Sequence, residues 1–405
     1  MDRRKKNKVV KGMACALSAV AIMGCVGCGD NNKDPQAGYE IKIDTLLNGA
    51  EVDLCHPTIR AYLNATVESE ICALLTEFSG KGVPYDYQDL EIGWTSETVK
   101  GNCLFHISES EDFSDEYVVS AKGKWKATFL TPGRTYYYKI TKEEYSSIVD
   151  SFTTVDLPVR NITVSGGWNV RDIGGWLAEG GKKVSYGKLY RGAKLGTGFI
   201  STASTSGRTF FNECLGMKSE IDFRTPGKDD DNQETCLWNV NGLYTKAPLT
   251  SCHIFEQAVW YDVKIKESMQ KIFAHLADEN NYPAYFHCNL GADRTGTVAF
   301  LLNGVLGVSY EDLAKDFELT SFSLSGKRWR SNIVDGSFTA DGIMQNDSDN
   351  YVGFGKMYET MMEYYNVDGT LAGAIENYLV SFCKVEKAHI DAFKQIMLGD
   401  VLGEK

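Results

Sequence analysis

Residues 282–296 read YPAYFHCNLGADRTG, and residues 297–306 continue as TVAFLLNGVL. Ala284–His287 is short, apolar and aromatic, as buried strands are. Thr295–Leu306 repeats apolar residues every three or four positions, as helices do. The join holds Cys288 and, after five residues, Arg294. Those five are Asn289, Leu290, Gly291, Ala292 and Asp293. Five residues wrapped at a helix N-terminus turn their backbone N–H groups inward and make an anion nest. Gly291 and Gly296 permit the tight turn and close helix packing. The same amides and the helix dipole depress the pKa of Cys288, so a nucleophilic thiolate is expected near neutral pH. The guanidinium of Arg294 is placed to hold two oxygens of a phosphate bidentately, and the Thr295 hydroxyl lies within reach of the sulfur. A structural cysteine at a strand end needs neither this arginine nor these glycines.

Around this loop the chain from Leu157 alternates strand and helix patterns. Ile221-Asp222-Phe223 reads as a second buried strand. Helical spacing recurs over Lys266–Ala277, Tyr310–Phe317, Met357–Tyr365, Gly369–Phe382 and Ala388–Leu398. Such alternation predicts an α/β domain with a mostly parallel sheet over residues 157–405.

Residues 39–156 read differently. Asp86–Trp94, Asn102–Ser108, Tyr117–Ala121, Lys124–Phe129, Arg134–Thr141 and Ile148–Thr154 are rich in Tyr, Val, Phe and Thr. Turn-forming residues separate them. Short strands at near-regular spacing predict an all-β sandwich of immunoglobulin type, with Trp94 in its core. The whole is therefore expected to be multi-domain.

The N-terminus reads as an address. Six basic residues up to Lys11 precede the apolar stretch Gly12–Gly24. That stretch is the length of a signal-peptide core and too short to span a bilayer. Ile22-Met23-Gly24-Cys25 resembles a bacterial lipobox, which makes residues 1–24 a signal peptide, Cys25 the lipidated N-terminus and residues 25–38 a flexible tether. Cys28 fits the pattern less well. An uncleaved anchor is the other reading of this segment. An extracytoplasmic protein that meets the membrane only through its lipid is expected.

The chain has 405 residues and a formal charge of −12, which becomes −17 without residues 1–24, where six basic and one acidic side chains lie. So acidic a chain argues against nucleic-acid binding. Of its 11 cysteines, nine remain beyond Cys15 and Cys25. An odd, scattered set is not a disulfide framework. No pair of C-x2-C motifs marks a zinc site.

The form HCxxGxDRTG resembles the loop of bacterial tyrosine-protein phosphatases that carry an aspartate beside the loop arginine. Trp168–Gly175 (WNVRDIGG) is similar to the N-x-R-D-x-G-G signature of that family. Ser219–Arg224 (SEIDFR) is similar to its strand ending in Asp-Leu-Arg, with Phe223 for leucine. Gly187–Gly192 and Glu318–Ser321 match two further segments. Leu130–Tyr138 (LTPGRTYYY) resembles the end of a fibronectin type III domain, where a tyrosine locks the corner. The phosphatase resemblance implies a covalent mechanism needing no metal and no cofactor: Cys288 attacks phosphorus, residues 289–295 hold the phosphate, and water releases it. It implies supporting roles for Arg171, Asp172 and His287, the last as a buttress of the loop. The substrate expected is a phosphorylated protein or a small phosphomonoester. Asp293 and Asp222 are both candidates for the general acid, with Asp293 favoured; Asp222 is equally placed to orient the loop or Arg224. Members said to favour phosphoinositides often carry lysine where Ala292 stands, which argues against a lipid substrate. A phosphoinositide or inositol-polyphosphate phosphatase and a non-catalytic surface-binding lipoprotein are the alternative readings.

Overall fold

The computed structural model describes residues 34–78, 90–127, 129–195, 205–226, 244–249, 263–323, 333–334, 337–338 and 355–399. The signal peptide, Cys25, Cys28, most of the tether, Cys236 and Cys252 lie outside the described residues.

The N-terminal region holds two sheets around one core. Strands β1 (Lys42–Ile43), β3 (Glu91–Thr95) and β6 (Lys124–Lys126) form the first, in the order β1-β3-β6. The second runs β2-β9-β7-β4-β5, from β2 (Ala50–Val52), β9 (Asp150–Thr154), β7 (Thr135–Lys142), β4 (Cys103–Ser108) and β5 (Tyr117–Ala121). The short β8 (Tyr145–Ser146) pairs with β7. Alternation explains the burial: Ile92 and Trp94 of β3 face inward while Glu91 and Thr95 face water. Phe105 sits between the sheets and stacks on Trp125 at 4.5 Å, Tyr138 at 5.8 Å and Trp94 at 6.0 Å. The hydroxyl of Tyr136 accepts the N–H of Thr131 at 2.8 Å, pinning the turn that leads into β7.

This region is not all β. Two helices, α1 (Pro57–Asn64) and α2 (Glu68–Phe78), stand between β2 and β3. His56 caps α1 through its side chain and Pro57 opens it, a position where the missing N–H costs nothing. Their buried residues Ile59, Tyr62, Leu63, Ile71 and Leu75 join the core of the C-terminal region rather than that of the sheets. The spacing Ile71, Leu75, Phe78 is helical, and residues 57–78 differ for that reason from the β pattern expected of residues 39–156.

The C-terminal region is built on a six-stranded sheet, β10-β11-β12-β15-β13-β14. Its strands are β10 (Arg160–Asn161), β11 (Arg171–Asp172), β12 (Leu189–Ala193), β13 (Ser219–Asp222), β14 (Tyr244–Lys246) and β15 (Ala284–Cys288). The pairs β12–β15, β13–β15 and β13–β14 are parallel, and β10–β11 and β11–β12 antiparallel. Central β15 is buried along its whole length, which its uninterrupted apolar run requires. Helices α3 (Thr205–Glu213), α4 (Val263–Leu276), α5 (Asp293–Val305) and α6 (Tyr310–Glu318) follow the strands, and a 3-10 turn, Leu319–Phe322, continues α6. Three more helical stretches, 355–365, 371–382 and Lys387–Leu398, follow. No described helix is long and apolar enough to cross a membrane.

The two regions touch in several places. Arg160 donates to the carbonyl of Phe129, whose ring meets Phe210 edge-on at 5.7 Å. The thiol of Cys214 lies 2.9 Å from the hydroxyl of Tyr117.

Candidate active site

Cys288 ends β15, and Arg294 lies in the first turn of α5. The nucleophile candidate thus sits at the carboxyl end of the central strand of the sheet's parallel part, where open α/β sheets build their sites. Its neighbours are Ala193 in register on β12 and Asp222 one residue back on β13, beside His287.

The loop between them is held from beneath through its carbonyls. Asn169 donates its side-chain amide to the carbonyls of Gly291 at 3.0 Å and Leu290 at 3.3 Å. Arg191 donates to Gly291 at 2.9 Å and Ala292 at 3.4 Å. In a trans peptide the following N–H points opposite to the carbonyl. The N–H groups of Gly291, Ala292 and Asp293 are therefore turned away from this scaffold, as an anion nest requires. Gly291 has a φ of +67°, and a Cβ there would come within 2.3 Å of the Gly192 backbone, so only glycine fits. At Gly296 a Cβ would meet the Phe317 ring at 2.7 Å, which sets how closely α5 and α6 approach.

The scaffold is itself polar and buried. Arg171 donates to Asp316 Oδ1 at 3.0 Å and to the Asn169 side-chain oxygen at 2.6 Å. Arg191 reaches Asp316 Oδ2 at 2.6 Å. Both arginines are fully buried. Burial pushes the Asp316 carboxyl up, but Arg171 and Arg191 outweigh it and hold it below the usual carboxylate range. Asn169, Arg171 and Arg191 lie in segments whose family resemblance was visible. Asp316 lay in a predicted helix with nothing in its local pattern to mark it.

Burial likewise pushes the Cys288 thiol up, and the charge of Arg294 with the Thr295 side chain and N–H reverses this, leaving it below its ordinary value. The Thr295 hydroxyl is buried there without closing a hydrogen bond of normal geometry, so its part is that of a nearby dipole. Other cysteines go the opposite way: burial pushes Cys55 and Cys383 up to about 12. None of the six cysteines among the described residues is in a disulfide. Arg294 donates to the carbonyls of Phe223 at 3.3 Å and Leu249 at 3.5 Å, both at the carboxyl edge of the sheet.

His287 lies behind the nucleophile. Its Nε2 is 2.8 Å from Glu220 Oε1 and its Nδ1 is 3.0 Å from the Cys288 carbonyl. Both ring nitrogens are engaged, which fixes the imidazole behind the loop.

The two aspartates differ sharply. Asp222 is fully buried and accepts from Arg224 Nη2 at 2.8 Å, Tyr244 at 2.7 Å and Lys246 at 2.5 Å. Burial pushes its carboxyl up, but His287, Arg224 and Lys246 together hold it well below the carboxylate range. Asp293 is half-buried in the first turn of α5, next to Arg294. Asp172 is not brought to the loop by any of its described contacts. It pairs with Arg160 at 3.2 Å and accepts the N–H groups of Gly174 and Gly187.

Two curated proteins resemble part of the chain. An inferred tyrosine-protein phosphatase of Cupriavidus necator is 26% identical over 168 residues, covering 37% of this chain and 59% of its own. A tyrosine-protein phosphatase of Nostoc commune is 26% identical over 128 residues, covering 28% of this chain and 44% of its own. The chain thus spans about half the length of the curated relatives it matches. The sequence model of the tyrosine phosphatase family matches residues 162–399, more than half of the chain and the whole of the loop with its scaffold, and the chain belongs to that family.

Proposed function

We propose that the protein hydrolyses phosphotyrosine through a phosphocysteine intermediate on Cys288. The observation that carries this reading is the pairing of a thiol held below its ordinary value with Arg294 at the N-terminus of α5. The thiolate attacks phosphorus, the S–P bond forms and the bond to the tyrosine oxygen breaks. The loop amides and Arg294 stabilise the charge on the equatorial oxygens. Asp293 gives its proton to the leaving oxygen. Water then attacks the phosphocysteine, losing a proton to Asp293, and inorganic phosphate and the thiolate are regained. Asp222 is too firmly ion-paired for the acid's role and instead orders Arg224, Tyr244 and Lys246 at the sheet edge.

The wider reading is of a bacterial lipoprotein anchored through Cys25 and working outside the cytoplasm. Its basic and apolar N-terminal residues support this. The Tyr136–Thr131 hydrogen bond and the two sheets around Phe105 support a fibronectin type III-like origin for the first region.

The test uses the full chain with p-nitrophenyl phosphate and a phosphotyrosine peptide. Both should be hydrolysed, and Cys288→Ser should abolish both activities. Hydrolysis that persists in Cys288→Ser rules out the cysteine mechanism.

A further inference from the structure

The segment that carries Asp316 and Thr320 has two working faces. On one, Asp316 holds Arg171 and Arg191, and the Thr320 hydroxyl lies 3.2 Å from the Asn169 amide. Asn169 and Arg191 are the groups that hold the loop carbonyls. On the other face lies the first region. The hydroxyl of Tyr62 on α1 donates to Glu318 Oε2 at 2.7 Å, and its ring meets Phe322 edge-on at 5.1 Å. Lys315 donates to the carbonyl of Leu63 at 2.7 Å, and α2 lies against Leu319–Phe322. The spacing sorts the faces: 315, 318 and 322 fall on one side of a helical turn, and 316 and 320 on another.

We propose that Tyr62 is a positioning residue for the phosphate loop, so that α1 of the first region sets the reactivity of Cys288. The proposal rests on the loop being the phosphatase site argued above. Apolar packing alone lets two helices slide over each other. The Tyr62–Glu318 and Lys315–Leu63 hydrogen bonds fix α1 at one register against residues 315–322. That segment is short and fully packed, so a shift on its α1 face moves Asp316 and Thr320. Their movement reaches the Gly291 and Ala292 carbonyls through a single side chain, Arg191 or Asn169. The amides that face phosphate and thiolate turn with those carbonyls.

The experiment compares the full chain with Tyr62→Phe and with Lys315→Met. Phenylalanine keeps the ring and removes only the hydroxyl. Three quantities are measured: the pH midpoint of Cys288 alkylation by iodoacetate, its protection by inorganic phosphate, and kcat and KM for p-nitrophenyl phosphate. In Tyr62→Phe the alkylation midpoint should rise, phosphate protection should weaken, and kcat should fall by about three- to thirtyfold, the range of off-site coupling. Lys315→Met should repeat the direction with smaller size. A change in unfolding temperature alone, with midpoint and protection as in wild type in whichever variant folds, overturns the proposal. Alkylation needs no turnover, so a wild-type chain that fails to hydrolyse phosphate esters defeats the phosphatase reading and still leaves the coupling decided.

Discussion

Asn169 and Gly291 are separated by 122 residues in sequence and joined by a 3.0 Å hydrogen bond, from the asparagine amide to the glycine carbonyl. Asn169 is itself buried, at a φ of +53° that asparagine tolerates better than most residues. Its two amide hydrogens serve the Leu290 and Gly291 carbonyls and Thr320, while its oxygen takes Arg171. Removing such a group leaves buried acceptors unmet, at roughly 1–3 kcal/mol. Asn169→Ala should therefore lower kcat/KM on the order of ten- to a hundredfold. Asn169→Asp should be worse, because it sets a carboxylate against two carbonyl oxygens. Steady-state kinetics with phosphate as inhibitor would check this. An aspartate variant as active as wild type would show that the loop does not depend on this amide.

The contrast between Asp222 and Asp293 makes a second prediction. An acid catalyst matters most when the leaving group is poor, and phenols such as tyrosine have a pKa of about 10. Asp293→Asn should slow phosphotyrosine hydrolysis far more than p-nitrophenyl phosphate hydrolysis and flatten the basic limb of the pH profile. Asp222→Asn should slow both alike and destabilise the fold, since Arg224 and Lys246 lose their shared carboxylate. The sign is that of a depressed carboxyl: its contribution is present above the ordinary carboxylate range and fades as pH falls through the folded value. Selective loss of phosphotyrosine hydrolysis in Asp222→Asn instead would exchange the two roles.

How much of this was readable in the chain depends on the range of each interaction. The loop was legible because its residues are neighbours in sequence and its chemistry is local. Several strands of the first region were legible from their Tyr, Val, Phe and Thr content: Tyr117–Ala121 appears with the expected bounds and β4 and β7 within a residue or so. Asp316 was not, because an acidic residue in a helix ordinarily faces water, and only the fold brings Arg171 and Arg191 onto it. The helices α1 and α2 escaped because they interrupt a β pattern and bury their apolar face against a core that begins some eighty residues later.

Acid should weaken the protein through His275. It is buried between Thr245 and Ser219, each 2.8 Å from a ring nitrogen. Burial, partly offset by Asp278, lowers its pKa from 6.5 to about 4. The unfolded chain therefore binds this proton more readily between those values. The stability from a neutral His275 is complete above about pH 6.5 and is lost as pH falls toward 4, to a total of ~3 kcal/mol. Urea unfolding at pH 7 and pH 4.5 should show this loss in wild type and a smaller one in His275→Gln. Equal losses in both would remove His275 as the cause.

The last prediction concerns where the phosphatase domain begins. The family match opens at residue 162, which invites a fragment of residues 157–405 as the working enzyme. The core contradicts that choice. Ile59, Tyr62, Leu63, Ile71 and Leu75 are all buried in the same cluster as Phe286, Leu301 and Phe317. Burying a large apolar side chain contributes about 1.5–3 kcal/mol, so five amount to ~10 kcal/mol. A whole domain is stable by only about 5–15 kcal/mol. Loss of α1 and α2 thus removes a contribution as large as the margin itself, and takes the Tyr62 hydroxyl from Glu318 as well. The fragment should lose its near-ultraviolet dichroism, bind a hydrophobic dye and melt without a cooperative transition, while the full chain melts sharply. A fragment of residues 157–405 that unfolds cooperatively and keeps the full chain's kcat/KM would show that α1 and α2 are merely docked on a domain complete without them.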